Sequence, residues 1–183
     1  MNKMSYVKKS IITAACIALC VILPMAFHAI PNAGSIFSPM HIPVLLCGLI
    51  CGPLFGLLCG IAGPCLSSLL TGMPGIGYLP VMIIELAAYG LIAGIMISLI
   101  RTKKIYADLY ISLIIALILG RVIAGIFNAL IFSAGSYSLA VWASGYFVTS
   151  LPGIILHLAI IPTIVFALEK ARLIPKRYPK ING

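Results

Sequence analysis

Long apolar runs separated by short polar or basic stretches dominate the sequence. The runs cover residues 9–28, 41–71, 79–100, 108–132 and 141–169. A helix needs about 20 apolar residues to cross the hydrocarbon layer of a membrane, and each run is at least that long. Because the runs are continuous, as in LYISLIIALILG, they predict membrane-spanning α-helices and not the alternating strands of a transmembrane barrel.

Basic residues lie in three clusters, and the positions of these clusters indicate how many times the chain crosses the membrane. Eleven of the twelve Lys and Arg residues fall in the segments 3–9, 101–104 and 170–180. Basic clusters beside membrane spans mark the cytoplasmic side, so an even number of crossings must separate the first two clusters. Only three apolar runs separate them. The longest run is therefore expected to bend at Gly52-Pro53, where proline removes a backbone donor and clashes with the preceding turn.

This count predicts one integral membrane domain of the all-α class, a polytopic protein with six transmembrane helices in a lipid bilayer and both termini in the cytoplasm. The expected spans are about 9–28, 41–52, 54–71, 79–100, 108–132 and 141–169, followed by a basic cytoplasmic tail at 170–183. Composition agrees, because 62% hydrophobic and 8% charged residues cannot enclose a core beneath a polar surface. The net charge of +9 is placed at the ends of spans, so no nucleic acid partner is expected.

Two charged residues lie far from any end of a span. Glu85 falls in the outer third of the fourth span, and Arg121 falls near the middle of the fifth. A charged side chain at the centre of a bilayer costs about 2.5 to 3.5 kcal/mol, which is tolerated when the group faces a cavity or a partner. Both are therefore candidate site residues. The alternative is a structural ion pair between them, and the two interpretations are compatible.

Polar and aromatic residues follow one face of each of the last three spans. They are Glu85 and Tyr89 on the fourth span, Arg121, Gly125 and Asn128 on the fifth, and Tyr146, Thr149, Gly153 and His157 on the sixth. Spacings of three and four residues place them on one helix face. Apolar and aromatic walls with a few polar groups are typical of a small-molecule pocket, here open to the outside. For Trp142 at the outer rim, a place in an interfacial aromatic belt fits at least as well.

The stretch CGLICGPLFGLLCG at 47–60 carries glycine at every fourth position and a cysteine before three of the four glycines. Cysteines four and eight apart do not match the spacing of metal sites, so we expect close helix packing with apolar thiols. The three histidines share no short spacing, and no phosphate-binding loop or nucleophile elbow occurs. The expectation is no catalytic site, no metal and no cofactor, with any energy supplied by a partner.

The first span carries two small residues four apart, Ala14 and Ala18. Such a pair lets another helix approach closely. It can pack inside this chain or form a docking face for a partner, and the sequence favours neither.

Over about residues 5–170 the chain resembles the substrate-binding S components of energy-coupling factor (ECF) vitamin transporters. The similarity lies in the length, the six spans, the basic ends, the small pair of the first span and the long first outer loop. It also lies in SPMHIPVLLCGLICGPLFGLLCGIAGPCLSSLLTGMP, IIELAAYGLIAGI and GRVIAGIFNALIF. The resemblance implies a multi-pass protein of a bacterial cell membrane that captures a small water-soluble vitamin or related micronutrient with high affinity. It further implies a transmembrane coupling protein and two ATPase subunits as partners.

The resemblance also implies roles for individual residues. In that family the small pair of the first span docks on the coupling protein, which implies this role for Ala14 and Ala18. The family pocket lies in the outer halves of spans four to six, which implies substrate binding by Glu85, Tyr89, Arg121, Asn128 and Tyr146. Weaker candidates are Asn32, His41, Trp142 and His157. An arginine with a glutamate suits a ligand with a carboxylate and a polar amide or ring nitrogen, such as pantothenate or a pyridine or pyrimidine vitamin.

A function from another class is a self-sufficient channel or facilitator whose polar stripes line a continuous path. Below Arg121 the fifth span reads LYISLIIALILG, with polar side chains only at Tyr110 and Ser112, near its inner end. This favours a closed floor, and hence a binding subunit.

Overall fold

The computed structural model describes residues 4–26, 33–132 and 138–178, and within these ranges the chain is helical, without strands. The helices are α1 (Tyr6–Ala26), α2 (Ala33–Phe37), α3 (His41–Cys51), α4 (Pro53–Thr71), α5 (Leu79–Leu99), α6 (Ile105–Phe127), α7 (Leu139–Ala143) and α8 (Leu151–Lys170). π-Helical turns at Asn128–Phe132 and Ser144–Thr149 continue α6 and α7. Five helices, α1, α4, α5, α6 and α8, are long and apolar enough to cross a membrane. The chain is a multi-pass membrane protein.

The predicted bend at Gly52 is present. α3 ends at Cys51 and α4 begins at Pro53, and Gly52 between them has a φ of 99°, which favours glycine. α3 has 11 residues, so it is about 16 Å long, roughly half the hydrocarbon layer. It is nearly all buried, and it packs against α1, α4, α5 and α8. Because this shorter apolar helix is the sixth candidate, the count of six crossings stays a prediction.

Glycines allow α3, α4 and α5 to pack backbone against backbone. A Cβ atom at Gly48 or Gly56 would collide with the carbonyl oxygen of Gly90, and one at Gly60 would collide with that of Leu86. The expected close helix contact along CGLICGPLFGLLCG is confirmed. Free thiols, all buried, lie in the same core: Cys16, Cys20, Cys47, Cys51 and Cys59. Among the described residues, no group of three or more His, Cys, Asp or Glu side chains is arranged to hold a metal ion.

The predicted last span, 141–169, is not a single α-helix. α7 passes into the π-helical turn, and α8 starts afresh after Ser150, with Pro152 in its first turn. Proline lacks a backbone N–H and disfavours the helical conformation of the residue before it, so it suits the start of a new helix better than the interior of a long one. The predicted stripe from Tyr146 to His157 therefore crosses a break.

The C-terminal tail folds back on the end of the bundle where α6 begins. Arg177 Nε donates to Asp108 Oδ2 at 2.6 Å, and the Tyr178 hydroxyl donates to the same carboxylate. Thr102 donates to the other oxygen of Asp108 from its backbone N–H and its hydroxyl. The fully buried Asp108 thus ties the tail to the α5–α6 connection.

Candidate functional site

Four helices bring five polar side chains to one level of the bundle. We call these residues the polar layer: His41 from α3, Glu85 and Tyr89 from α5, Arg121 from α6 and His157 from α8. Each is at most 5% exposed. Glu85 and His157 are the seventh residues of α5 and α8, and Arg121 lies six residues before the end of α6, which runs the opposite way. At 1.5 Å per residue, each of the three lies about 9 Å from the nearer end of its own α-helix, and these three helix ends are on the same side of the bundle.

Glu85 pairs with His41 inside this layer. His41 Nε2 lies 3.2 Å from Glu85 Oε1, and both side chains are buried. No ion pair joins Glu85 to Arg121 in the described part of the chain, so the predicted alternative is wrong. Its cause is the position of α3, which begins at His41 and packs against α5, so a histidine reaches the carboxylate.

The two histidines and a tyrosine form a ring cluster. The His41 and His157 rings are nearly parallel, with centroids 5.7 Å apart, and the Tyr89 ring meets His41 edge-on at 4.9 Å. His157 Nε2 lies 3.3 Å from the carbonyl oxygen of Ser38, in the turn before α3. Ser38 has a φ of 46°, in the left-handed region that few non-glycine residues adopt. The contact with His157 thus holds this turn against the polar layer, with Ser38 in an unfavourable backbone conformation.

Arg121 has a different environment from Glu85. Its guanidinium carbon lies 5.6 Å from the centre of the Phe147 ring, and within the described part of the chain its Nε atom has no hydrogen-bond partner. Trp142 Nε1 donates to the backbone carbonyl of Arg121 at 3.2 Å, and its indole packs on Gly125. Trp142 is half-buried and lies against the site helix α6, next to Arg121.

Two further nitrogens of the layer are buried without a partner among these residues, His41 Nδ1 and His157 Nδ1. A buried polar atom without a hydrogen bond costs about 1 to 3 kcal/mol, and native proteins contain few of them. Three such atoms lie in this layer, counting Arg121 Nε, and Ser112 Oγ, lower on α6, is another buried atom without a partner among the described residues. The layer offers a fixed positive charge, two imidazoles and a phenol between aromatic walls.

The remaining predicted site residues lie around or outside this layer. Asn128 is half-buried at the start of the π-helical turn after α6, about two turns beyond Arg121. Asn32 and the side chain of Tyr146 lie outside the described residues. The resemblance implies only a weaker role for His41 than for Glu85 and Arg121, yet His41 contacts Glu85, Tyr89 and His157 in the polar layer. The sequence does contain one signal for a buried His41. The residue follows Pro39-Met40 and begins a long apolar run, which is typical of the start of a buried helix.

Ala14 and Ala18 lie on the face of α1 that points away from the bundle. Both are exposed, whereas Thr13, Cys16 and Cys20 form the buried face of the same helix. Thr13 Oγ1 lies 3.4 Å from Cys47 Sγ of α3, which fixes the orientation of α1. Within the described part of the chain, neither alanine belongs to the buried face of α1, and the role of the pair stays a prediction.

Comparison with known proteins identifies one family. A family model described as ECF transporter, substrate-specific component, matches residues 8–165. The match includes all five residues of the polar layer and the small pair of α1. No curated protein and no solved structure matches the chain significantly.

Proposed function

Because the chain belongs to the family of ECF transporter substrate-specific components, we propose that it captures a water-soluble vitamin or related micronutrient in the polar layer for ATP-driven import. Its family is one of substrate-binding transport subunits and not of enzymes. In this proposal the chain lies in a bacterial cell membrane with six crossings and both termini inside. The binding residues are His41, Glu85, Tyr89, Arg121 and His157, with Asn128, Tyr146, Trp142 and Asn32 towards the outside.

The observation that carries this proposal is the convergence of buried polar groups at one depth. With both termini inside, α5 and α8 start on the outer side, so a layer about 9 Å from their starts lies in the outer half of the membrane. A site there is reached from outside. Buried aromatic and apolar walls with a few oriented polar groups match the usual make-up of small-molecule sites.

The inner half of the bundle supports a binding subunit over the alternative of a channel or facilitator. On α6 the buried side chains between the polar layer and the cytoplasmic end are apolar except for Ser112: Leu109, Leu113, Ala116 and Leu117. Asp108, at that end, is engaged by the tail. A continuous polar path through these residues is not supported.

In this proposal the energy for import comes from partners, because the sequence shows no phosphate-binding motif of its own. The exposed pair Ala14 and Ala18 offers a flat surface on α1 where a transmembrane coupling protein can approach closely. Two ATPase subunits would then supply the energy through that protein. The docking role of this pair is part of the proposal.

The proposal is tested by equilibrium binding of a panel of water-soluble vitamins to the purified protein and to Glu85→Gln and Arg121→Gln. We expect each substitution to weaken binding of the vitamin that the wild type binds by about tenfold or more, which is 1.4 kcal/mol. Gly77→Ala, in an open outer turn, is the matched control and should bind normally. Normal binding by both site variants would place the site elsewhere. Uptake into liposomes by the chain alone would favour the facilitator.

A further inference from the structure

Arg121 is a buried guanidinium whose counter-ion the chain does not supply. The sequence contains three acidic side chains, Glu85, Asp108 and Glu169. Glu85 Oε1 lies 3.2 Å from His41 Nε2, and Asp108 Oδ2 accepts from Arg177 Nε at 2.6 Å. Glu169 accepts from the backbone N–H of Arg177 at 3.1 Å, near the same tail. Every carboxylate side chain is thus engaged away from Arg121.

Arg121 cannot escape this situation by losing its proton, because arginine stays charged in proteins. The side chain is 3% exposed, and its Nε atom has no hydrogen-bond partner among the described residues. The Phe147 ring at 5.6 Å is a weak substitute for an anion. A buried charge is tolerated when it is paired, and since no acidic side chain of the sequence forms an ion pair with Arg121, an anionic group of another molecule can take this place.

We propose that this other molecule is the transported ligand, and that the ligand carries a carboxylate which pairs with Arg121. This inference rests on the proposed function and names the chemical class of the ligand. A guanidinium presents parallel N–H donors that match the two oxygens of a carboxylate, and its free Nε lies on the edge that makes such paired bonds. The second part of the ligand is polar and uncharged. It faces His41 Nδ1 and His157 Nδ1, the other unpartnered nitrogens of the layer.

A lipid phosphate has the same charge and is the competing source of an anion. Lipid headgroups lie at the ends of membrane helices, whereas Arg121 lies about 9 Å inside the end of α6, is 3% exposed and has the Phe147 ring beside its guanidinium. A small soluble carboxylate that enters from outside reaches this depth without carrying acyl chains into the bundle. The position therefore favours the soluble ligand.

The test compares carboxylates with neutral counterparts of the same shape. The probes are nicotinate with nicotinamide, pantothenate with panthenol, and biotin with biotinamide, added to the purified full-length protein in nanodiscs. The readout is the shift of the thermal unfolding midpoint over a concentration series. We expect one carboxylate to bind at least about tenfold more tightly than its neutral counterpart. Arg121→Gln should abolish that preference, and Arg121→Lys should retain part of it, because it keeps the charge without the paired donors.

A second readout does not depend on the choice of probe. In protein washed free of small molecules, Arg121→Gln should leave the unfolding midpoint unchanged or raise it, because it removes an unpaired buried charge. Arg177→Gln, which breaks the pair with Asp108, should lower the midpoint and leave the carboxylate preference intact. A fall of equal size in both variants would mean that Arg121 already has a structural counter-ion, and the inference would be wrong.

The remaining outcomes separate this inference from the proposed function. Equal binding of a carboxylate and its neutral counterpart overturns the anionic ligand but leaves a binding subunit. The protein could instead be more stable in phosphatidylglycerol than in phosphatidylcholine nanodiscs, in a way that depends on Arg121, and show no response to any carboxylate. That result assigns the counter-ion to lipid and also overturns the inference. Binding of none of these probes, together with binding of a vitamin that has no carboxylate, contradicts the inference alone, and binding of no vitamin at all contradicts the proposed function as well.

Discussion

The contact between His41 and Glu85 explains how a carboxylate is accommodated inside this bundle. Both side chains are at most 5% exposed, and neither is near a basic residue of the membrane ends. A buried ionisable pair contributes little net stability, but removal of one partner leaves the other group unsatisfied. The pair therefore fixes the orientation of Glu85 towards α3.

Substitution of the histidine should accordingly cost more than substitution of the carboxylate. His41→Ala leaves the Glu85 carboxylate buried without its partner and should lower the free energy of unfolding by about 3 kcal/mol. Glu85→Gln removes the charge and should cost less. The double variant should be more stable than His41→Ala alone, as measured by reversible denaturation in micelles. A double variant that loses the sum of the two single effects would mean that the residues do not interact.

The sequence predicts which residues are unusual at this scale but not which partners they choose. Glu85 and Arg121 stand out because a charge in a long apolar run is costly, and that argument needs no coordinates. The partner of Glu85 depends on which helices touch. Periodicity does not reveal that the short helix α3 contacts both α5 and α8, which brings His41 to Glu85.

At the scale of elements, α4 and α5 pack backbone against backbone along a seam of glycines. Gly56 and Gly90 face each other so tightly that a Cβ on either would collide with the backbone carbonyl of the other. Membrane helices lack a hydrophobic driving force for association, so close van der Waals packing of this kind replaces it. The seam also sets the position of Glu85, since the same two helices meet again at Gly60 and Leu86.

Gly90→Ala should therefore destabilise the protein strongly. The added methyl group meets backbone and not a movable side chain, so α4 and α5 must separate, at a cost of about 1 to 3 kcal/mol or more. The measurement is the thermal unfolding midpoint. Gly77→Ala adds the same methyl group where no atom lies within 4 Å, and it should change the midpoint little. Equal unfolding midpoints for the two variants would contradict the close packing of α4 against α5 at Gly90.

The small pair on α1 leads to a prediction about coupling. Ala14→Trp should preserve ligand binding and abolish uptake, because the indole projects from the exposed face where a coupling protein would approach. The assay is transport in liposomes that contain the complete complex, together with binding to the isolated chain. Leu69→Trp, on an exposed position of α4, is the control and should retain both activities. Equal loss of binding and uptake in Ala14→Trp would indicate a packing defect.

Glycine and proline residues in the sequence predict where some of the helices end. The positions of the basic clusters, together with a glycine and a proline, predict the bend at Gly52-Pro53. The structure confirms it, because α3 ends at Cys51 and α4 begins at Pro53. The break before Pro152 has a similar local signal, Leu-Pro-Gly, but the apolar run through it favoured one helix. Hydropathy shows that a segment lies in an apolar environment but not whether it forms one helix or two. It therefore does not distinguish a continuous helix from one that is broken at a proline.

At the scale of the whole molecule, the two ends of the bundle differ in a way that suits one-sided binding. The polar layer lies near the starts of α5 and α8, while the opposite end is tied together by Asp108, Arg177 and Tyr178. Buried apolar residues of α6 separate the two. This arrangement favours capture at one face and leaves passage across the membrane to rearrangement with partners. The rearrangement itself has no sequence signature, because it depends on a surface shared with other chains.

The central claim is that the polar layer holds the transported ligand. Native mass spectrometry of the protein released gently from membranes tests it most directly, with wild type, Glu85→Gln and Arg121→Gln compared side by side. We predict that the wild type carries one small molecule per chain and that both variants have lost most of it, while all three remain folded. A wild type without any bound molecule, or the same molecule retained in full by both variants, would contradict the account.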